Sequence, residues 1–320
     1  MARSRKLETV QASIKAIRDQ LSPPTEEAIA TLQQALTSRQ SVAIAQVAKL
    51  VLNHHLTQLI PELATQFERM LTKGATTDPN CIAKKAIANT LYQLEYPETE
   101  LFLSGIHHIQ MEPVWGKSVD TAPGVRAICA LGLVRVNYRE IMPELADLLA
   151  DPEIEARIGA ARAIAYSENP QGIPLLRLKL HLGDLEPQVL SECFIALLQL
   201  APQQSFPLVA KFLESSEPTI CELAAIALGE ARVAEAFKVI KRVWQQTRES
   251  ELKQSFLLAI ATLRTDEAIQ FLTGLIEKGK LTDAKDALIA LSIYRHTEDI
   301  WQTVKVAAQH RNDLDPRLLV

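Results

Sequence analysis

The chain has 320 residues, of which 48% are hydrophobic and 22% charged, with a formal net charge of −4. That composition is globular and excludes a disordered chain. The negative balance disfavours general nucleic-acid binding, because neutralising phosphates needs a basic surface. Apolar runs are too short for a membrane span. Eleven glycines and 5% aromatics argue against a large sheet, and good helix formers predominate.

In chain order, residues 1–21 carry five Lys/Arg and two acids. They lack the apolar centre of a secretory signal. Residues 1–38 are expected to form an irregular helical hairpin broken at Pro23-Pro24, and residues 40–109 two repeats of longer period. There Ile60-Pro61-Glu62-Leu63 matches Met142-Pro143-Glu144-Leu145 in helical phase. Two segments lengthen the period. One is the turn-rich Thr72–Asn80, and the other is Gln110–Gly124, which carries two prolines and two glycines. The second is read as an inserted loop, 110–124, without helical register.

Residues 125–312 are expected to form six regular repeats, with a tail at 313–320. A small residue marks the first helix of each unit: Ala130, Ala163, Ala196, Ala227, Ala259 and Ala290, at steps of 33, 33, 31, 32 and 31. A second marker is placed at the opening of the second helix: Pro143, Pro174, Pro207, Lys238, Gln270 and Trp301. Two markers in constant phase predict stacked helical hairpins. In the unit Ser216–Thr247, Pro218 sits in a first helical turn, where a missing amide is tolerated. Ile220, Leu223, Ala224, Ala227 and Leu228 recur at helical spacing, and Gly229-Glu230-Ala231 either ends that helix or lets two helices approach closely. Ala236, Val239, Ile240 and Val243 form the second stripe.

The pattern Asp/Glu-Pro-x-Ile/Val followed by an alanine-rich stretch resembles HEAT repeats, especially the bacterial subgroup shared with phycobilin lyases. It is carried by Asp151-Pro152-Glu153-Ile154 with Ala160–Ile164, by Glu217-Pro218-Thr219-Ile220 with Ala224–Gly229, and by Val125-Arg126 with Ala130-Leu131-Gly132. The resemblance covers most of residues 40–312. It implies an all-α fold: one right-handed α-solenoid over residues 1–320, of about nine stacked helical hairpins in an armadillo-type superhelix. Such arrays serve many tasks, so the resemblance specifies fold and leaves function open.

Candidate functional residues lie mainly where the period breaks. Trp115, between Val114 and Gly116, either folds back to plug the gap between units or contacts a partner. Large apolar loop residues usually tuck in, whereas tryptophan is favoured at binding hot spots. Met111 and Lys117 flank it. Arg177, Lys211, Lys241, Arg242 and Lys305 follow the second marker by three or four residues. The resemblance places second helices on a concave face, so these five form either a discontinuous basic strip or a set of solvated cations. Asp147 and Gly274 interrupt the series.

The pairs His54-His55 and His107-His108 do not chelate as i, i+4 pairs would, so no metal is expected. Cys81, Cys129, Cys193 and Cys221 form no Cys-x-x-Cys pair; Cys129 and Cys193 are read as core packing. Widely spaced thiols fit a reducing cytoplasm. No nucleophile elbow, zinc-protease, P-loop or dinucleotide motif is present.

The expected function is a non-enzymatic protein–protein scaffold or adaptor, monomeric and without a cofactor. Its partner, another protein, would be held on the concave face and the 110–124 loop. The alternative implied by the resemblance is a phycobilin lyase-like protein that attaches or chaperones a bilin chromophore. A HEAT-like DNA glycosylase is the third reading; it would need a basic groove, and the net charge of −4 and the interrupted basic series disfavour it.

Overall fold

The computed structural model describes residues 12–15, 24–38, 40–311 and 313–314. The expected break at Pro23-Pro24 and the tail at 313–320 fall largely outside them. Among the described residues the fold is an all-α repeat apart from one small hairpin. It divides after Glu168 into two compact units.

The first unit contains α1 (Glu26–Leu36), α2 (Ser41–Asn53), α3 (Ile60–Lys73), α4 (Ile82–Gln93) and α5 (Thr99–Ile106). Strands β1 (Met111–Val114) and β2 (Lys117–Asp120) follow, then α6 (Pro123–Arg135), α7 (Ile141–Leu149) and α8 (Ile154–Tyr166). Thr25 opens α1 by accepting the Ala28 amide at 3.2 Å, and Glu26 and Glu27 complement the dipole in the first turn. Alternate helices pack in a row: α2 on α4, α4 on α6, and α6 on α8. Their contact stripes are built of small residues such as Ala43, Ala48, Ala83, Ala88, Ala130, Ala160 and Ala163, all buried. A methyl placed on Gly159 of α8 would collide with Ala127 of α6, whose Cα lies 2.6 Å from that position. Helices this close admit no larger side chain.

The first helices of successive hairpins end alike. His55, Glu95 and Asn137 hold φ of 52°, 57° and 55°, and the amide three residues past the helix turns back to a carbonyl five residues earlier. These bonds are Leu56 N to Val51 O at 3.0 Å, Tyr96 N to Leu91 O at 2.9 Å and Tyr138 N to Leu133 O at 3.0 Å. They satisfy orphan carbonyls in the manner of a Schellman cap, with a non-glycine residue in the left-handed position.

The second unit contains α9 (Gly172–Leu182), α10 (Pro187–Leu200), α11 (Pro202–Lys211), α12 (Pro218–Glu230), α13 (Ala236–Gln246), α14 (Ser250–Thr262), α15 (Asp266–Lys278), α16 (Leu281–Leu291) and α17 (Glu298–Gln309). Again α10, α12, α14 and α16 pack in sequence. The marker residues Ala196, Ala227, Ala259 and Ala290 are all at most 2% exposed. Gly229 lies inside α12, where an added methyl would meet the Ala259 carbonyl at 2.5 Å. It therefore permits close approach, and the helix ends beyond it, at Glu230. Among the second helices, α11 corrects an expectation: it starts at Pro202, so Pro207 lies within it. Pro207 removes one intrahelical bond without ending the helix.

The Thr72–Asn80 segment is not simply a turn. Helix α3 continues to Lys73 and is followed by 3-10 turns at Gly74–Thr76 and Pro79–Cys81. The 110–124 segment is not an irregular loop either: β1 and β2 pair in antiparallel fashion within it. Among the described residues, no helix is long and apolar enough to cross a membrane.

The small-residue seam is testable. Ala227→Arg or Ala259→Arg should destabilise the protein by about 3 kcal/mol through overpacking, seen as a lowered thermal midpoint. Glu230→Arg, at an exposed position of the same helix, should leave the midpoint unchanged.

Candidate interaction site

Between α5 and α6 the chain leaves the helical array as a hairpin. Its register pairs Met111 with Asp120, Glu112 with Val119, Pro113 with Ser118 and Val114 with Lys117. The turn consists of Trp115 and Gly116, with φ of 42° and 81°. Two positive φ values match the twist of the flanking strands, as in a type I′ turn. Gly116 takes this conformation freely. Tryptophan does not: left-handed backbone costs it roughly 1–2 kcal/mol.

The tip is apolar and exposed. Trp115 is 101% exposed and Val114 beside it is open to solvent, as are Val119 farther down β2 and Ile109 and Met111 on either side of the root residue Gln110. The expectation that Trp115 folds back between repeats is therefore not met. The turn carries it away from the helices and leaves its ring free of packing contacts.

The base is the opposite, buried and polar. Gln110 is 4% exposed, and Asp78 and Lys84 are fully buried. Gln110 Oε1 accepts from Lys84 Nζ at 2.6 Å, while its Nε2 donates to Asp78 O at 2.9 Å and Glu112 Oε1 at 2.7 Å. The Asp78 carboxylate accepts the amides of Ala83 and Lys84, both at 2.9 Å, so it caps α4 from the preceding turn. Lys84 Nζ lies 3.6 Å from Asp78 Oδ2, which supplies the charge a buried ammonium requires. Glu112 also accepts from the Asn80 amide at 2.7 Å and from Thr121 Oγ1 at 2.6 Å. Thr121 N donates to Gln110 O at 2.9 Å and closes the hairpin at its root.

Arg126 on α6 locks the far strand. It is 3% exposed and donates through Nη1 to Asp120 Oδ2 at 2.6 Å and to His108 O at 2.9 Å. Its Nη2 donates to Asp151 Oδ1 at 2.9 Å, just ahead of α8. Nε stands 2.9 Å from Asp151 Oδ2 in an ion pair but is not aligned for a hydrogen bond. One guanidinium thus joins the hairpin, the irregular segment leading into it and the following repeat.

These bonds set the protonation states. Burial alone would raise the Asp120 carboxyl, but the Gln110 and Ala122 amides and Arg126 outweigh it and hold the pKa below 3.8. Burial likewise opposes ionisation of Glu112; donation from Thr121, Gln110 and Asn80, with Lys84 nearby, holds it below 4.5. Burial, reinforced by the Lys84 charge, pushes His108 down, which favours neutral imidazole.

The eight residues singled out from sequence fall into two sets. Met111, Trp115 and Lys117 gather on the hairpin, and all are exposed. Arg177, Lys211, Lys241, Arg242 and Lys305 belong to the second unit. There Arg242 pairs with Glu214 at 2.8 Å, and Lys241 lies over the rings of Phe237 and Phe271 at 5.3 and 4.7 Å. Both cations already have partners within the fold. Lys211 is exposed, whereas Arg177 and Lys305 are half-buried. All four cysteines are buried, and burial raises the Cys193 thiol to about 12. His107 Nε2 lies 2.6 Å from Glu144 Oε2.

Sequence reasoning missed the anchoring residues Asp78, Lys84, Gln110, Thr121 and Arg126. Their polar side chains stand in helical or loop segments with no motif. The available signal was Lys84 on the inward face of a helix, where a charge demands a partner.

No protein-family model matches the chain, and no curated protein matches it. Among solved structures, the complex of CpcE and CpcF of phycocyanin lyase from Nostoc sp. PCC7120 is similar at 16% identity. The match covers 75% of this chain and 93% of that one, with a TM-score of 0.41. An engineered protein from the Northeast Structural Genomics Consortium is similar at 19% identity, over 96% of this chain and 88% of that one, with a TM-score of 0.36. Likenesses this distant identify neither an activity nor a partner.

Two outcomes follow from the buried base. Gln110→Leu should cost about 3 kcal/mol, because Lys84 and Asp78 O lose a partner in a buried place. Urea denaturation reads the loss, and hydrogen exchange should show faster exchange at the Thr121 amide. The carboxylates also make hairpin docking pH-dependent. Their pKa values are lowered, so their stabilisation is complete above the ordinary 3.8 and 4.5 and declines as pH falls through the lower native values. Exchange at Thr121 should stay slow near neutrality and rise, relative to α2 amides, only in that acid range.

Proposed function

We propose that this chain is a non-enzymatic binding protein, a helical-repeat scaffold that holds a partner protein through the Met111–Asp120 hairpin. One observation carries the reading: a fully exposed tryptophan sits at a backbone position that disfavours it, on a hairpin bolted down by buried polar bonds. An isolated two-stranded hairpin is marginally stable in water. Here buried hydrogen bonds to Asp78, Lys84 and Arg126 hold it, and none of its strand residues enters the core. Positive φ at His55, Glu95 and Asn137 closes a helix end, whereas at Trp115 it caps no helix and turns an apolar ring into solvent.

Tryptophan offers a large, rigid apolar surface at low entropic cost, the property of a binding anchor. Trp115, Met111 and Lys117 are assigned as the contact residues. The exposed cation Lys211, with Arg177 and Lys305, is a secondary candidate for an acidic partner; Lys241 and Arg242 are committed within the fold. Burial of Cys129 and Cys193 supports their reading as packing residues.

Trp115→Ala removes the anchor without touching the base. Stability should be unchanged, because alanine keeps the Cβ that disfavours this backbone position, while co-purification of the native partner should fall at least tenfold. Undiminished recovery of the same partner with this variant would sink the assignment.

A further inference from the structure

Resting on the hairpin as the recognition element, we infer the chemistry of its partner: a protein that offers an apolar cleft with a carboxylate on its rim. The cleft takes Trp115 with both faces of the tip, and the carboxylate pairs with Lys117.

The pairing pattern first excludes strand addition as the mode of contact. Thr121 N donates to Gln110 O, so Gln110 and Thr121 form a hydrogen-bonded pair. Such pairs alternate along an antiparallel ladder. Glu112 with Val119 and Val114 with Lys117 are then hydrogen-bonded too, and the outward backbone groups belong to Met111, Pro113, Ser118 and Asp120. Pro113 has no amide to give, so the outer edge of β1 is blunted at its centre. The edge of β2 is only four residues long, and alternation leaves two of them, Ser118 and Asp120, facing outward. Binding falls to the side chains.

The side chains point to a cleft. Directly paired residues share a face of a hairpin. Val114, Val119 and Lys117 therefore stand on one face, and Met111 and Pro113 on the other. All five are exposed. Trp115 joins the two faces at the turn. A flat partner would cover one face and leave the other in water, whereas a cleft buries both.

Charge selects the rim. Lys117 is exposed and makes no ion pair among the described residues. The nearby acids are already engaged at the base: Asp120 with Arg126, and Glu112 with Gln110, Thr121 and the Asn80 amide. The tip is therefore a positive, apolar wedge, complementary to an acidic rim. One lysine is too little for stable attachment to an anionic bilayer, which calls for a polybasic patch or a second anchor.

The test places the photo-crosslinking residue p-benzoylphenylalanine at position 114 or 119 of the full chain, in the cells that make it. Crosslinked peptides are mapped, and affinity is measured between the purified proteins. Both positions should label one protein, at apolar residues around a cavity with an acid at its edge. Trp115→Ala should weaken that pair about 30-fold. Lys117→Glu should weaken it about tenfold, most at low salt, and Lys117→Arg should retain it. Changing the rim acid to lysine should restore binding to the Lys117→Glu chain. If Trp115→Ala abolishes binding and Lys117→Glu has no effect at low salt, the acidic rim is wrong while the hairpin reading stands. If Trp115→Ala has no effect, both fail. Crosslinking to a second copy, with Trp115-dependent dimers in sedimentation, overturns the inference. So does Trp115-dependent flotation with vesicles of phosphatidylcholine and phosphatidylserine in equal parts, and so does the absence of a crosslink from either position.

Discussion

Everything else in this chain follows from how closely its first helices approach one another. Small residues at the contact stripes bring α6 to α8 and α12 to α14 so near that Gly159 and Gly229 have no room for a methyl group. Within each unit an inner first helix such as α4, α6, α12 or α14 packs against a neighbour on both sides, so its two contact stripes cannot vary independently. That requirement produces the 31–33 residue steps and directs variation to the turns. The extra length within 72–80 and 110–124 lies mostly between helices, at 74–80 and 110–122, where it leaves the seam undisturbed.

A second kind of interior exists beside this apolar one. Lys84 and Arg126 are buried charges, and taking them out of water costs several kcal/mol each before pairing. An apolar filling of equal volume could be as stable, but it would be indifferent to direction. A guanidinium that must meet Asp120, Asp151 and the His108 carbonyl together accepts one arrangement of three segments. The polar base thus specifies where the hairpin stands and at what angle it leaves the helices.

The sequence displayed the helical array far better than the site. Alanines at constant phase reveal helices because burial demands small residues wherever backbones converge, and Ala130, Ala163, Ala196, Ala227, Ala259 and Ala290 are all buried as that logic requires. The hairpin was hidden for identifiable reasons. Its strands are four residues long, Pro113 interrupts one of them, and the turn is Trp-Gly, not the usual Asn-Gly or Asp-Gly. The helix ends were similarly obscure, since His55 and Glu95 occupy left-handed positions where glycine or asparagine would be the signal. Spacing placed Lys241 and Arg242 in a basic series, but spacing says nothing of partners, and Phe237, Phe271 and Glu214 had already taken them. The network around Gln110 joins residues from Asp78 to Asp151, and only three-dimensional proximity brings them into one cluster.

The hairpin's attachment also bears on how this protein can change over time. Its polar bonds run through Gln110, Glu112, Asp120 and Thr121, while Pro113, Val114, Trp115, Gly116, Lys117, Ser118 and Val119 are all exposed. Substitutions in that stretch leave the helical seam and the buried charges as they are, so their effect on folding is confined to the turn itself. Most proteins modify a binding surface at the expense of stability, because the same residues serve both. On the proposed reading of the hairpin the two are separated, much as antibody loops are separated from the sandwich that bears them. The array can keep its fold while the tip changes, and divergence among related arrays should accumulate there first.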